Sequence, residues 1–286
     1  MIPQLKWANR REVRNIRRAI PAKIRTVAIL VLRLVLAPST VLAASLVQRR
    51  LGPLRGGRLI GYPLTTAPFL LVLCLGSGPA AAAHAAAGVV AGQMAVIGFC
   101  TAYGRLATRL APGVTVAAAL GCAVVSAAAV ALIGVAWLIA LVVLGAIAVA
   151  LATWSADDGG DVPSRPQRGW ELPVRVAVSG VLVAVLSTGV PLLGPYLAGV
   201  LSTAPVILTV MAPSTHRSAG PVAAGRLVRG AMATMAASVV FVTVIAYALG
   251  PLPVVAAFAL AVAGMLVTDQ VTRARRPVRA RVPSTS

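Results

Sequence analysis

Acidic residues are scarce in this sequence of 286 residues, with six Asp and Glu against 26 Lys and Arg. Charged residues of both signs make up 11% of the chain, whereas a soluble domain carries roughly 25%. The stretch 110–156 contains no Lys, Arg, Asp or Glu. Because a membrane-spanning helix needs about 20 apolar residues, this stretch is long enough for two spans. The composition therefore indicates an integral membrane protein and excludes an ordinary soluble enzyme.

The apolar segments also lack the alternation of apolar and polar residues that marks a transmembrane β-barrel. In hydrocarbon every backbone polar group must be paired internally, so segments that are apolar on all sides form helices. The sequence predicts an all-α polytopic transmembrane bundle of 8–9 helices. The apolar segments lie at about 26–47, 59–77, 80–103, 113–131, 132–154, 174–193, 197–212, 222–249 and 252–268. Its predicted parts are a basic cytoplasmic or interfacial segment (1–25), a membrane repeat (26–131), a linking transmembrane helix (132–154), a polar loop (155–173), a second membrane repeat (174–268) and a basic disordered tail (269–286).

Residue sets for catalysis or metal binding are missing. Cys74, Cys100 and Cys122 fall inside apolar segments without metal-ligand spacing. No phosphate-binding loop and no metalloprotease or serine-hydrolase motif is present. Asp269 lies only at the end of the last predicted span, so carboxylate-based ion coupling has no evident carrier. We therefore expect no enzyme, no cofactor and no metal site, and a membrane enzyme acting on lipids is the weakest interpretation.

The net charge of +20 is concentrated at the two ends of the chain and in short loops. This placement favours contact with anionic lipid headgroups on the cytoplasmic side, rather than binding of nucleic acid. Nine spans would put the loop 49–58 and the tail outside, against the positive-inside rule. If residues 26–48 are instead interfacial or re-entrant, eight spans keep these loops inside. We therefore expect a bacterial inner membrane protein with both termini cytoplasmic.

An internal repeat is the most informative pattern. Four landmarks recur in the same order, in a chain where Ala- and Val-rich sequence also produces chance matches. They are Leu51-Gly52-Pro53 and Leu193-Gly194-Pro195, then Leu64-Thr65-Thr66-Ala67-Pro68 and Leu201-Ser202-Thr203-Ala204-Pro205, then Gly78-Pro79 and Gly220-Pro221, and finally Pro112 and Pro253. Since one additional helix separates the copies, they are expected to cross the membrane in opposite senses. Inverted repeats are typical of secondary transporters, although a duplication can also simply enlarge a bundle.

The second copy resembles the small GlpM-type integral membrane proteins. The resemblance rests on short motifs, namely Ala198-Gly199, Leu201, Pro205, Gly220 and Arg229-Gly230. The resemblance extends over the length of about one repeat. It implies a compact four-helix unit, duplicated here, and brings no catalytic residues with it.

The Thr/Ser-Thr-Ala-Pro pair is the first candidate site. Proline inside a span removes a backbone hydrogen bond and breaks the helix, and neighbouring hydroxyls can satisfy the freed groups. One interpretation is a purely structural kink. The other is a substrate cavity between two broken helices, lined by Thr65, Thr66, Pro68, Ser202, Thr203 and Pro205.

Ionisable residues near the membrane are the second candidate. His84 occupies the position in the first copy that Arg226 occupies in the second, and Arg229 follows one turn later. These residues are candidates for binding an anionic or amphipathic substrate or a lipid headgroup. The alternative is that both arginines extend to the headgroups at a helix end.

The sequence thus favours a small-molecule or lipid transporter with a site between two inverted repeats. The alternative is a non-transporting scaffold or accessory subunit that docks a partner through its basic cytoplasmic ends. Expected partners are anionic membrane lipids and a small anionic or amphipathic substrate, with no nucleic acid. Small residues such as Gly88 and Gly92 allow close helix approach, within the chain, in a homodimer or with a partner subunit.

Overall fold

The computed structural model describes residues 42–131, 135–154 and 194–274, with a few isolated positions outside these ranges. Regular structure in these ranges is entirely helical, and residues 42–51 are helical before the first complete helix. The helices are α1 (Pro53–Gly61), α2 (Thr66–Ser77), α3 (Pro79–Leu106), α4 (Pro112–Ala131), α5 (Ala136–Ala152), α6 (Gly194–Ser202), α7 (Val206–Ala219), α8 (Pro221–Ala248) and α9 (Val254–Ala274). The predicted basic segment 1–25, nearly all of the loop 155–173, nearly all of the segment 174–193 and most of the tail lie outside the described residues.

Six helical stretches are long and apolar enough to cross a membrane. They are α3, α4, α8, α9 and the two composite stretches Pro53–Leu75 and Gly194–Ala219. Large apolar side chains on α4, α5 and α9 point away from the protein; Val124, Val149 and Val255 are 69%, 63% and 82% exposed. Such surfaces are stable against lipid and not against water. The chain is therefore a multi-pass α-helical membrane protein.

Gly-Pro pairs begin α1, α3, α6 and α8. The glycines Gly52, Gly78, Gly194 and Gly220 have φ angles between 71° and 97°, and they are the positive-φ residues of the described chain. Glycine adopts this conformation without steric cost, and proline suits the first turn of a helix because its missing N–H would be unpaired there. The Gly-Pro dipeptides therefore set where these helices start.

The bundle is built around α3 and α8, the two most buried helices. Each is 28 residues long, or about 42 Å at 1.5 Å per residue. α4 packs against α3, α9 packs against α8, and α5 packs against both. Alanine, glycine and valine dominate the buried positions of the central pair. In lipid, helices associate through close van der Waals contact, and small residues permit it.

The short helix α1 crosses the long helix α8 with backbone against backbone. A Cβ atom on Gly57 would overlap the carbonyl oxygen of Leu227, and one on Gly61 would overlap that of Ala231. Moving one turn forward along α1, from Gly57 to Gly61, moves the contact one turn forward along α8, from Leu227 to Ala231. The two helices therefore run parallel.

The short helix α6 crosses the long helix α3 in the same way. A Cβ atom on Gly88 would overlap the carbonyl oxygen of Tyr196, and one on Gly92 would lie 2.7 Å from that of Val200. These helices also run parallel. The glycine face that includes Gly88 and Gly92 therefore serves packing within the chain.

These directions bring nine of the ten described arginines to one end of the bundle, here called the basic end. α1 and α8 begin there, α3 and α7 end there, and α9 runs towards it; the side chains of Tyr103 and His216 lie 3.2 Å apart and tie the ends of α3 and α7 together. The basic end carries Arg49, Arg50, Arg55, Arg58, Arg105, Arg109, Arg217, Arg226 and Arg229, and the tenth, Arg273, lies deeper, at Tyr62. At the opposite end, the turns 77–79, 131–136 and 249–253 are uncharged.

Several helix boundaries differ from those expected from the sequence. The segment predicted at 59–77 starts earlier, at Pro53, and is two helices, α1 and α2, with residues 62–65 between them. The segment predicted at 197–212 is two helices, α6 and α7, separated by the break at residues 203–205. The last helix continues to Ala274, six residues beyond the predicted end at Thr268, so the first residues of the expected disordered tail are helical. An i, i+4 pair between Asp269 and Arg273 stabilises this extra turn.

Candidate functional site

Proline and its neighbours break two spans. In the first, α1 ends at Gly61 and α2 begins at Thr66, with Pro68 in the first turn of α2. In the second, α6 ends at Ser202 and Pro205 is the N-cap of α7. Since proline has no N–H and clashes with the preceding turn, the helix cannot run through either site. Each span is therefore two half-helices with a short non-helical segment between them.

Both breaks lie at similar depth. α1 and α6 are each nine residues long, which corresponds to about 14 Å. α1 enters from the basic end and α6 from the opposite end. In a hydrocarbon core about 30 Å thick, both breaks therefore fall close to the middle.

The two breaks line one half-open cavity of about 80 Å³, here called the break cavity. Thr65 and Thr66 line it from the first break, and Ser202, Thr203 and Pro205 from the second. Further polar residues on the lining are Tyr62, Gln93 and Ser238, and the apolar ones include Val96, Leu208 and Met235. By volume the cavity holds a few waters or one small molecule.

The hydroxyls of the two breaks differ in their hydrogen bonds. Ser202 Oγ donates to the carbonyl oxygen of Gly199 at 2.7 Å, and Thr203 Oγ1 donates to that of Val200 at 2.7 Å. These hydroxyls satisfy their own helix, as the structural-kink interpretation expects. Within the described part of the chain, no hydrogen bond is formed by the side-chain hydroxyls of Thr65 and Thr66. The first break therefore has donors to offer to a ligand.

A buried amide connects the central helices at the cavity wall. Gln93 Nε2 of α3 donates to Ser238 Oγ of α8 at 3.1 Å, and both residues are more than 90% buried. Buried polar groups in a membrane bundle are costly unless they are paired. The pair therefore fixes the side of the cavity that α3 and α8 form.

The sequence analysis did not predict one feature, an ion pair that lies beside the cavity. Asp269 is 8% exposed and its carboxylate is 2.7 Å from Arg273 Nε. Arg273 Nη2 also donates to the hydroxyl of Tyr62, a cavity-lining residue, at 3.0 Å. The expectation that Asp269 lies only at the end of a span is corrected, because α9 continues past it. The spacing of Asp269 and Arg273, four residues apart, is the signal in the sequence that could have shown this.

The remaining predicted site residues lie elsewhere. Arg226 and Arg229 line a second pocket, of about 290 Å³, at the basic end. His84 is exposed near the start of α3. Arg105, which lines that second pocket, follows His84 by 21 residues on the same helix. This spacing corresponds to about 30 Å, so His84 is far from the second pocket. Pro68 lies in α2 and is not among the residues that line the break cavity. The structure thus divides the predicted residues among the break cavity, the second pocket, the start of α3 and, for Pro68, the first turn of α2.

Side chains that could bind a metal ion are dispersed in the described part of the chain. In residues 42–154 and 194–274, apart from the undescribed positions 132 and 134, no three His, Cys, Asp or Glu side chains cluster closely enough to hold a metal ion. Cys74 and Cys100 are buried thiols, and Cys122 is exposed on α4.

Comparison of the chain with protein-family models, with curated proteins and with solved structures finds no match. The GlpM-type resemblance of the repeats is not tested by these comparisons and stays a prediction. Function is therefore inferred from the geometry of the two cavities and from the arrangement of the helices around them.

Proposed function

We propose that this membrane protein is a transporter or permease for a small molecule, with its site at the break cavity. The observation that carries the proposal is the meeting of two interrupted helices at one polar cavity, near mid-depth in the bundle. Discontinuous helices supply free backbone groups and opposed helix ends where an apolar bilayer otherwise offers none. A purely structural kink does not require the two breaks to face the same space.

We infer a duplication from the closely similar helix lengths of the two halves. The helices α1, α2, α3 and α4 have 9, 12, 28 and 20 residues, and α6, α7, α8 and α9 have 9, 14, 28 and 21. Gly88 and Gly230 are each the tenth residue of their long helix. Each lies against a backbone carbonyl of the short helix from the other half: Gly88 against that of Tyr196, and Gly230 against that of Leu54. Tyr196 and Leu54 each follow the positive-φ glycine by two residues.

The helix directions support an inversion of the two copies. α3 turns back from α2 at Gly78, and α8 turns back from α7 at Gly220, so each long helix runs against its own broken span. Yet α1 runs parallel to α8, and α6 runs parallel to α3. The two broken spans must therefore point in opposite directions. This supports a pair of inverted repeats, with the cavity at their interface as in many secondary transporters.

The distribution of arginines supports an assignment of which end of the bundle faces the cytoplasm. Loops retained in the cytoplasm are enriched in Lys and Arg, so we assign the basic end to the cytoplasm of a bacterial inner membrane. α9 runs back along α8 towards this side, so we assign the C-terminal tail to the cytoplasm. Counting α5 and the apolar segment that the sequence predicts at 174–193 as further spans brings the six to eight, and the N-terminal basic segment is then also assigned to the inside.

The cavity lining favours a small polar substrate. Threonine hydroxyls and the Gln93 amide can donate and accept hydrogen bonds. The N-termini of α2 and α7 face the breaks and place partial positive charge there. His84, Arg226 and Arg229 lie away from the break cavity, so they are assigned no contact with a substrate held there.

A non-transporting scaffold is the second candidate. Nine arginines at one end form a surface that suits an acidic partner protein. A scaffold requires that end alone and has no use for a hydrated cavity at the bilayer centre. Water access to the break cavity therefore distinguishes the two functions.

The test is thiol accessibility in intact cells, with single cysteines on a cysteine-free background. Thr65→Cys and Ser202→Cys probe the two breaks, and Val124→Cys is the lipid-facing control. Ser77→Cys and Thr108→Cys mark the two ends. A transporter predicts that a hydrophilic, membrane-impermeant reagent modifies both break positions and not residue 124. Residue 77 should react from outside, and residue 108 only after permeabilisation.

If the reagent modifies neither break position, as is expected for residue 124, the cavity is closed to water and the scaffold is favoured. Reaction of residues 77 and 108 from the same side would contradict the assigned helix directions. The two results are independent, so the cavity and the inversion are judged separately.

A further inference from the structure

The break cavity has backbone N–H groups without hydrogen-bond partners at two helix ends. N–H groups at the start of a helix have no acceptor inside the helix. Within the described part of the chain, the N–H groups of Thr65 and Thr66, at the start of α2, form no hydrogen bond. Among the same residues, this is also true of Ile207 and Leu208 in the first turn of α7. All four residues line the break cavity.

The two helix ends point into the cavity from opposite sides. α2 leaves the cavity towards the uncharged end of the bundle, whereas α7 leaves it towards the basic end. Each helix N-terminus carries about half a positive charge, because the peptide dipoles along the helix are aligned. The two ends together therefore supply about one unit of positive charge to the same small space.

The carbonyl end of α6, which also reaches the cavity, is already occupied. The carbonyl oxygen of Gly199 accepts from Ser202 Oγ, and that of Val200 accepts from Thr203 Oγ1, each at 2.7 Å. These hydroxyls offset the partial negative charge of the helix C-terminus. The groups that the second break leaves free are therefore the donors of α7.

The side chain of Thr66 adds a buried donor at the same place. Thr66 is only 7% exposed and lines the cavity. Its hydroxyl has no partner in the described residues. A buried hydroxyl is costly unless a ligand or a water satisfies it. An unpaired side chain and the unpaired N–H groups of α2 thus point to one ligand.

The formal charges near the cavity are balanced. Among the described residues that line the cavity, none is charged. Arg273 donates to the hydroxyl of the lining residue Tyr62, and the carboxylate of Asp269 lies 2.7 Å from Arg273. The attraction for an anion therefore comes from the two helix ends, which balance one negative charge. A divalent anion would leave an uncompensated charge in the low dielectric of the bilayer, at a high cost in free energy.

We propose that the break cavity binds a small monovalent anion such as chloride or nitrate, and that this anion is the transported substrate. The substrate assignment rests on the proposed transport function, whereas the binding site rests on the helix ends and on Thr66. Oriented backbone N–H groups form anion sites of this kind in proteins. The cavity volume of about 80 Å³ leaves room for such an ion with part of its hydration.

Thermal unfolding of the detergent-solubilised full-length protein tests the site. Sodium gluconate, whose anion is too large for the cavity, is replaced by sodium chloride or sodium nitrate at constant ionic strength. In a second series N-methylglucamine replaces sodium. A ligand that binds the folded state alone stabilises it, so Tm should rise by roughly 5–10 °C at about 100 times Kd. The rise should follow the anion, and Tm should not respond to the cation.

Two variants and one control locate the effect. Thr66→Val removes the unpaired hydroxyl at nearly constant volume and should weaken the apparent anion affinity about tenfold or more. Thr243→Val is the matched control, because that hydroxyl donates to the carbonyl oxygen of Val239 and lies outside the cavity. Thr65→Asp places a carboxylate at the N-cap of α2, a position that favours it. This tethered anion should make Tm independent of added chloride, and it provides a second variant if Thr66→Val fails to fold.

Chloride release from proteoliposomes, driven by potassium efflux through valinomycin and followed with a chloride electrode, tests whether the bound anion is carried. The wild type and Thr243→Val should release chloride, and Thr65→Asp should not. Stabilisation by chloride without any release would leave the site in place and contradict both its role as a substrate site and the proposed transport.

Other results would overturn the anion site itself. These are a Tm that does not respond to chloride or nitrate, and a response of equal affinity in the wild type and Thr66→Val. A Tm that follows sodium instead would show that the cavity binds a cation. In these cases transport of a different substrate still stands if the hydrophilic reagent modifies Thr65→Cys and Ser202→Cys, so the two failures are distinguishable.

Discussion

Substitution of Gly57 by alanine tests the packing of α1 on α8 at a single methyl group. The added Cβ would overlap the carbonyl oxygen of Leu227 and lie 3.0 Å from the backbone nitrogen of Ala231. Both obstacles are backbone atoms of a buried helix, so no side chain can turn away. The helices must separate and lose contacts along the whole crossing. Overpacking of this kind costs about 1–3 kcal/mol, and we expect the upper half of that range.

The assay is thermal unfolding followed by a thiol-reactive fluorophore. Cys74 and Cys100 are buried and react only as the bundle opens, while exposed Cys122 is replaced by serine in every variant. A loss of about 2 kcal/mol corresponds to a fall in Tm of roughly 4–8 °C, using the scaling for domains of 150–250 residues. Gly199→Ala, at the equivalent crossing on α3, should show a similar fall. Gly145→Ala is the matched control, because nothing lies within 4 Å of its added methyl.

Gly145→Ala should leave Tm unchanged or raise it slightly, since alanine is the better helix former by about 1 kcal/mol in water. If Gly57→Ala and Gly199→Ala unfold at the temperature of Gly145→Ala, then the short helices do not pack against the long helices of the opposite half. The argument for inverted repeats, which depends on those crossings, would then fail as well.

Two further predictions concern polar contacts near the break cavity. Asp269→Asn and Arg273→Gln should each cost about 1 kcal/mol, because the Arg273 side chain is 60% exposed and its ion pair is partly screened. The double variant should cost little more than either single variant in the same unfolding assay, and simple additivity would show that the pair contributes nothing. Gln93→Leu and Ser238→Ala should show a coupling energy of about 0.6 kcal/mol in a double-mutant cycle, the average for hydrogen bonds in membrane proteins. A coupling indistinguishable from zero would mean that water replaces the bond.

The sequence predicts the membrane class and most helix positions because both depend on local properties. The expected segments 80–103, 113–131 and 222–249 correspond to α3, α4 and α8 with differences of up to three residues at their ends. Absence of charge determines the spans, and Gly-Pro pairs determine several starts. The recurrence of Thr-Ala-Pro also drew attention to the two breaks that the structure brings to one cavity.

The partners of each helix could not be predicted in the same way. Packing in lipid depends on which small residues face each other, and this chain has alanine and glycine on nearly every helix face. His84 and Arg226 were considered together because they occupy equivalent positions in the two copies. The structure places them at opposite ends of the bundle, as the proposed inversion of the two copies would require. Positions that are equivalent in the sequence pattern are therefore not neighbours in the structure.

Each short helix packs on the long helix of the other half of the chain, and this affects how the protein is made. The residues that α1 packs against on α8 are synthesised about 170 residues after Gly57. At 5–20 residues per second, the ribosome needs about 10–30 s to reach them. Throughout that interval the glycine face of α1 lacks its partner, and the N-terminal half cannot reach its final packing. The nascent chain is therefore open to membrane proteases and insertion chaperones, and an mRNA truncated after the first half would yield a product that quality control can recognise.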